Sequence, residues 1–333
     1  MIPKIKVGLL ISYDFNLIFN ALPRIYDYVD EIYLSYDKNF LTWSGKKISI
    51  PEDFFGKIKE YDRLKKIKYH IDNFYIDVEN PIINDTIQRN LLKKEMGYTD
   101  WCIQIDVDEY FINFSLVRDF LLKNSFLIKY TDKKINIRGK WVTLFKKLEN
   151  GYLFIDNDES FSFVNNAREY NYARNIDGKQ FQTNFYAIHQ SWAREESEVA
   201  LKISNWGHKN DFDTESFFNF WKNVNSSNYM NFKNFHPVYP QEWEKLEFIE
   251  CNSIDEFEVK YKKKYSEKLL NQTKLPSKYY FKYLLVLKCI FKMARPIRKK
   301  LKFDEEKNEI SDKEIVYLFF NNEHIFDYII NDK

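Results

Sequence analysis

The chain is short of cysteine, glycine and proline, and it has neither a long apolar run nor a strong net charge. Its three cysteines, Cys102, Cys251 and Cys289, are odd in number and widely spaced. No Cys-x-x-Cys pair or Cys/His cluster is present, so neither a disulfide framework nor a zinc knuckle is expected, and a reducing compartment is the simpler reading. Glycine and proline number eight each in 333 residues, too few for a collagen-like or low-complexity chain. No apolar stretch approaches the ~20 residues that span a bilayer. The run Val7-Gly8-Leu9-Leu10-Ile11 is too short for a signal-peptide core, and Asp14 follows it without a small-residue cleavage site. A buried first strand and a cytoplasmic protein are therefore expected. Lys and Arg total 51 against 49 Asp and Glu, a net charge of +2, which gives no global reason to expect nucleic acid as a partner. Aromatic residues are abundant instead: 7 Trp, 24 Tyr and 30 Phe make up 18% of the chain. That excludes global disorder, and most of these rings must pack a core.

The length allows one large domain or about two ordinary ones. In its first third the apolar pattern alternates between strand and helix. Strands are expected over residues 5–11, 31–35, 66–71 and 101–105, and helices over 15–28, 51–62 and 84–96, the last stopped by Gly97. Such alternation predicts an α/β fold with a mostly parallel sheet flanked by helices. Beyond Phe111 the pattern changes. Segments 135–145, 152–155, 161–164 and 185–192 read as strands of a mixed, antiparallel part, and 195–206 reads as a helix closed by Gly207. From about Thr214 the chain reads as mainly helical. A boundary near Pro237-Val238-Tyr239-Pro240 divides it into residues 1–240, the α/β domain, and a helical region, 241–333.

The sharpest local feature is Trp101-Cys102-Ile103-Gln104-Ile105-Asp106-Val107-Asp108-Glu109-Tyr110-Phe111. An apolar run crosses the core, and three acids appear at its carboxyl end, where open α/β sheets bind ligands. Asp106 and Asp108, one residue apart, can converge on a hard cation such as Mg²⁺ or Mn²⁺, which in turn can hold a diphosphate. The competing reading is an acidic turn ahead of the next helix, and Glu109 fits best as a helix-start acid.

Taken together, these segments resemble nucleotide-sugar glycosyltransferases of the GT-A fold, specifically the family 2-like bacterial group. The residues that carry the resemblance are spread over about 1–210. Asp30-Glu31-Ile32-Tyr33-Leu34-Ser35-Tyr36-Asp37 resembles the second strand, and Thr86-Ile87-Gln88-Arg89-Asn90 resembles the Arg-Asn helix. Trp101 to Phe111 resembles the Asp-x-Asp segment. His189-Gln190-Ser191-Trp192-Ala193-Arg194, with Lys202 further on, resembles the late histidine segment. The first loop departs from the family: it reads Ser12-Tyr13-Asp14-Phe15-Asn16 rather than opening on Asn-Glu. The second strand ends in a single Asp37 rather than an Asp-rich run.

The resemblance implies a GT-A-like, Rossmann-like domain that binds a nucleotide-diphosphate sugar with Mn²⁺ or Mg²⁺. Asp106 and Asp108 would hold the metal and diphosphate, with His189 completing the metal shell and His208 as a rival ligand. Asp37 would contact the base or ribose, or else serve as a turn acid. Arg89 and Lys202 would bind donor phosphates. A carboxylate between the Asp-x-Asp and the late histidine would deprotonate the acceptor hydroxyl. Glu169 is the first choice, with Asp158, Glu159 and Asp211 as alternatives. Trp192, Trp206 and Trp221 could stack on sugar rings.

Residues 274–303 hold ten basic residues and no acid, interleaved with apolar ones, whereas 304–333 carry nine acids against three lysines. The basic segment suits either an anionic membrane surface or a helix packed on the catalytic domain. Membrane contact at the inner face would suit a lipid-linked acceptor in the assembly of a bacterial surface glycan, either capsule or lipooligosaccharide. Two other readings share the carboxylate pair. One is a nucleotidyltransferase or other phosphate-ester enzyme, for which a Gly-rich phosphate loop is lacking. The other is a non-catalytic sugar-binding protein that retains the fold.

Overall fold

The computed structural model describes residues 3–270 apart from 99, 126–127, 129–133, 206 and 208. The basic 274–303 segment, the acidic 304–333 segment, Cys289, Trp206 and His208 lie outside the described residues. Cys102 and Cys251 are free and buried.

Strand β1 (Ile5–Leu10) lies at the middle of the parallel part, between β2 (Glu31–Asp37) and β4 (Trp101–Asp106), and β3 (Ile67–Asp72) pairs with β2. Buried on both faces, β1 and β4 read as continuous apolar runs, as parallel strands do. Helix α1 (Ile18–Ile25) buries Ile18, Ala21, Leu22 and Ile25, one stripe at helical spacing, and short 3₁₀ turns flank it. In α2 (Glu52–Tyr61) the buried pair is Phe54 and Ile58. Helix α3 (Ile82–Met96) ends where Gly97 takes φ +83°, a left-handed value that glycine adopts freely. Its buried stripe is half polar and includes Asp85, Gln88, Arg89, Leu92 and Met96.

Beyond β4 come β5 (Glu109–Phe111) and α4 (Phe114–Lys123), and then the expected mixed part. It consists of β6 (Ile135–Leu148), β7 (Gly151–Ile155), β8 (Ser160–Asn165) and β9 (Lys179–His189). The sheet runs β10-β7-β6-β8-β4-β1-β2-β3, where β10 is Glu247–Glu250, with β9 pairing parallel to β6 and antiparallel to β5. Helices α5 (Glu196–Asn205) and α6 (Thr214–Asn223) cover a second, aromatic-rich cluster that includes Phe145, Phe217, Trp221 and Trp243.

The C-terminal part is less purely helical than the sequence suggests, because β10 pairs antiparallel with β7. Four residues with a single buried side chain show almost no periodic signal; the edge of β7 makes them a strand. Across position 240 the chain stays in the same sheet and core. In α7 (Ile254–Lys264), which α8 (Ser266–Leu270) follows, Phe257 and Tyr261 belong to the main hydrophobic cluster. Gly151 lies at the β7–β10 pairing, and a Cβ there would press on the Ile249 carbonyl oxygen and the Phe248 ring. Gly151→Ala should therefore lower stability by about 1–3 kcal/mol, read as an earlier denaturation midpoint. Among the described residues, no helix is long and apolar enough to cross a membrane.

Candidate functional site

The turn after β4 is fixed by two long-range pairings. Glu109 of β5 sits opposite His189 of β9, and Gln190 N donates to the Asp108 carbonyl at 2.8 Å. This register carries a distant residue to the acidic turn, leaving His189 Nε2 3.6 Å from Asp108 Oδ2. Arg194, after β9, approaches the same oxygen at 2.5 Å. Lys202 Nζ reaches it at 3.3 Å, from the face of α5 that also buries Val199 and Ile203. Burial alone would raise the Asp108 pKa, but the charges of Lys202, His189 and Arg194 outweigh it and hold the carboxyl well below its usual range. Arg194 also donates to Asp14 Oδ2 at 3.2 Å, yet burial still raises the Asp14 pKa.

Asp106 has a different set of partners. Its Oδ1 accepts from Arg89 Nη2 at 2.7 Å, while Arg89 Nε donates to Asp85 at 2.6 Å. Its Oδ2 lies 4.0 Å from Arg174, and 29% of the side chain is exposed, which leaves this acid open to the cleft. Burial pushes Asp106 up, but Arg89 and Arg174 bring it below the ordinary value. Glu109 does not start a helix. It is buried in β5, accepts from two guanidinium nitrogens of Arg174 at 2.6 and 2.7 Å, and takes a bond from Asp106 N. Such bidentate pairing fixes a guanidinium in orientation as well as position.

The structure brings Arg89, Asp106, Asp108, His189 and Lys202 to one cleft of about 360 Å³ at the carboxyl ends of β1 and β4. Two of the expected site residues lie elsewhere. Asp37 Oδ1 accepts from Asn39 N and Leu41 N, and its Oδ2 from Phe74 N and Tyr75 N, so the carboxylate shapes a loop and does not line the cleft. Glu169 is exposed outside the cleft. The reason lies in its neighbour: Asn90 clamps the backbone of Tyr170 at 2.7 and 3.2 Å, Tyr170 is drawn into the protein, and Glu169 is left facing solvent. The same helix holds the loop again where Thr86 Oγ1 accepts from Ala173 N at 2.8 Å, and this positions Arg174. Asn90 thus acts on the loop rather than on a ligand.

Of the other candidates, Trp221 is core, donating Nε1–H to the Phe145 carbonyl. Trp192 is buried with one edge on the cleft and Lys202 above its ring. The alternative acids separate as well: Glu159 lines the cleft, whereas Asp158 and Asp211 do not. Asp158 is held instead by Lys140 and Lys268, at 2.8 and 2.6 Å. Glu159 directly precedes β8, the strand paired with β4, and burial raises its pKa although His189 opposes the shift. Trp243 Nε1 donates to it at 3.4 Å.

Among the described residues, three side-chain donors of the His, Cys, Asp and Glu types come within 4.8 Å of one another at Glu159, His236 and Glu242. Asp106, Asp108 and His189 do not form such a set. His236 Nδ1 accepts from Val238 N and Tyr239 N at 3.1 and 2.8 Å. A neutral ring so bonded carries its proton on Nε2, making that nitrogen a donor rather than a metal ligand. This trio therefore reads as a hydrogen-bonding acid cluster.

Several cleft residues have no signature in the sequence. Arg174 and Asp14 carry no local signal beyond their charge, and each is recruited by a partner distant in sequence. A further group is defined by what its members lack: Arg89 Nη1, Arg138 Nε, Trp141 Nε1 and Thr143 Oγ1 are buried without a hydrogen-bond partner among the described residues, and all four residues line the cleft. Buried polar groups are ordinarily paired, so such a cluster marks a place for ligand oxygens.

No protein-family model matches the chain, and no curated protein matches it. Among solved structures, it is similar to mannose-6-phosphate isomerase from Helicobacter pylori, with 16% identity over 46% of this chain and 55% of that chain, at a TM-score of 0.27. It is also similar to mannose-1-phosphate geranyltransferase from Thermus thermophilus, with 10% identity over 66% of this chain and 65% of that chain, at a TM-score of 0.23. The chain spans about half the length of the first of these and about two thirds of the second. Likenesses this weak carry no functional argument, so the site's own chemistry has to supply one.

Proposed function

We propose that the chain is a glycosyltransferase of GT-A type, moving a sugar from a nucleotide-diphosphate sugar to an acceptor hydroxyl. One observation carries the reading. The cleft at the carboxyl ends of parallel β1 and β4 places an open carboxylate, Asp106, between two guanidinium groups, buried Arg89 and partly buried Arg174. That combination suits a diphosphate, whose oxygens take charge-assisted bonds from guanidinium groups. It is also where open α/β sheets bind nucleotides.

The donor chemistry fits a divalent cation. Asp106 keeps Oδ2 clear of any hydrogen bond among the described residues, whereas Asp108, whose Oδ2 is taken by Arg194 and Lys202, would have to use its other oxygen. These two acids would hold Mn²⁺ or Mg²⁺, whose role when bound is to neutralise charge on the departing nucleoside diphosphate. Arg89 Nη1, without a hydrogen-bond partner among the described residues, would serve a phosphate oxygen. Glu159 takes the part first assigned to Glu169. The acceptor oxygen bonds to the anomeric carbon as the bond from that carbon to the diphosphate oxygen breaks. The electron pair leaves with the nucleoside diphosphate, and the hydroxyl proton passes to Glu159. A surface-glycan acceptor, lipid-linked and reached through 274–303 on an anionic membrane, completes the proposal.

The test is nucleotide release from a panel of nucleotide sugars with Mn²⁺, Mg²⁺ or chelator. One donor should turn over, and Asp106→Asn should cut that turnover at least about 100-fold while the fold persists. Tight sugar binding with no affinity for any nucleotide would overturn the reading.

A further inference from the structure

Strand β6 forms the far wall of the cleft, with β8 between it and β4. Three of the unpaired buried donors, Arg138 Nε, Trp141 Nε1 and Thr143 Oγ1, belong to this one strand. In a regular strand, residues 138 and 141 would face opposite sides. The pairing is irregular here, with two extra residues on β9 opposite the step from Arg138 to Lys140, and Arg138, Trp141 and Thr143 all line the cleft. Gly139 allows the kink to pack closely, since a Cβ there would stand 2.9 Å from both the Phe161 ring and the Phe185 carbonyl oxygen.

Arg138 differs from the other cationic residues lining the cleft. Arg89, Arg174 and Lys202 each face a carboxylate, whereas Arg138 has no ion pair among the described residues and donates only to the Ser160 carbonyl, at 3.1 Å. The row begins beside the reacting centre, because Thr143 pairs in register with His189 and Trp141 N donates to the Glu159 carbonyl at 2.7 Å. It ends at Arg138. Strand rise puts Arg138 roughly 7–10 Å from Trp141, about one sugar residue and a substituent away, while β6 lies roughly 10 Å from β4 and its diphosphate-binding groups. Trp141 is stacked on Phe161, with its ring centre 4.4 Å from that of His189.

We infer that the β6 wall is an acceptor subsite and that the acceptor bears an anionic group, a carboxylate or a phosphate, bound by Arg138. The inference rests on the transferase reading for the word acceptor, but the subsite itself can be tested without turnover. The full chain is titrated with glucose, glucuronate, glucose 6-phosphate and inorganic phosphate, followed by tryptophan fluorescence and saturation-transfer NMR. Binding of UDP and GDP is measured in parallel. An anionic sugar should bind at least tenfold more tightly than glucose, and more tightly than inorganic phosphate. Which of the two wins distinguishes carboxylate from phosphate. Arg138→Gln should bring the anion preference close to one. Arg138→Lys, which retains charge and fold but loses the fork, should reduce it several-fold. Equal affinity for glucose and both anionic sugars, inorganic phosphate binding as well as the sugar phosphate, or a preference unchanged in both variants would overturn the inference, whatever nucleotides bind. Arg138-dependent binding of an anionic sugar by a protein with no nucleotide affinity would overturn the transferase reading and leave the subsite standing.

Discussion

Asp108→Asn should cost about 3–5 kcal/mol of folding stability, the usual consequence of removing one partner from a buried charge cluster. The side chain is 4% exposed, and one oxygen faces Arg194, Lys202 and His189. An amide leaves two cations and a histidine facing a neutral group, with Asp14 bonded to Arg194 as partial compensation. The effect reads as a lower midpoint in urea. Lys202→Met on the same background should recover part of the loss, because it removes the cation whose ion pair is lost while Arg194 keeps Asp14. Asp106→Asn should be milder, since Arg89 keeps its bond to Asp85 and Arg174 keeps Glu109. Loss of activity in Asp108→Asn would therefore mix folding with chemistry, and Asp106→Asn is the cleaner probe.

The sign with pH follows from linkage. A carboxyl whose folded pKa is depressed stabilises the fold above its unfolded value, near 3.8, and that stability is lost as pH falls through the folded pKa. Asp108→Asn should accordingly flatten the acid limb of stability below about pH 4. Asp14, with a raised pKa, acts in the opposite sense: its contribution grows as pH falls through that raised value.

Glu159→Gln should lower sugar transfer by about 10²–10⁴-fold, the range attributable to a positioned general base, with nucleotide binding retained. Glu169→Gln should leave transfer unchanged, because its carboxylate is exposed away from the cleft. Burial raises the Glu159 pKa, so the acid limb of the rate profile should lie above the 4.5 of an ordinary glutamate, with activity rising as the carboxylate ionises. A profile whose acid limb is unmoved in Glu159→Gln would assign the base elsewhere.

The choice between these two glutamates shows the limit of local sequence. Both lie between the Asp-x-Asp turn and His189, and neither has a distinguishing neighbour. Glu159 is turned inward because the start of β8 lies beside Trp141 on β6, whereas Glu169 is turned outward because Asn90 draws in Tyr170. Asp37 is a similar case. The family resemblance made it a candidate for the base or ribose, and four backbone N–H groups claim it instead. The distribution of aromatic residues was half legible: most are core, as composition requires, but it took the second cluster to place Trp221 there and the folded sheet to place Trp141 at the cleft.

Legible in the chain alone were the alternating strands and helices of the parallel part, the helix ending at Gly97 and the acidic turn after β4. Each of these follows from apolar period and stop signals within about fifteen consecutive residues, where side-chain direction is set by the local backbone. The pairing of cations with acids emerged only on folding. Arg174 with Glu109, Arg194 with Asp108 and the unpaired Arg138 depend on strand registers and loop clamps between positions 22 to 86 residues apart. A charge shows its type in the sequence, but its partner and burial, which fix its energy, depend on which distant backbone is folded against it.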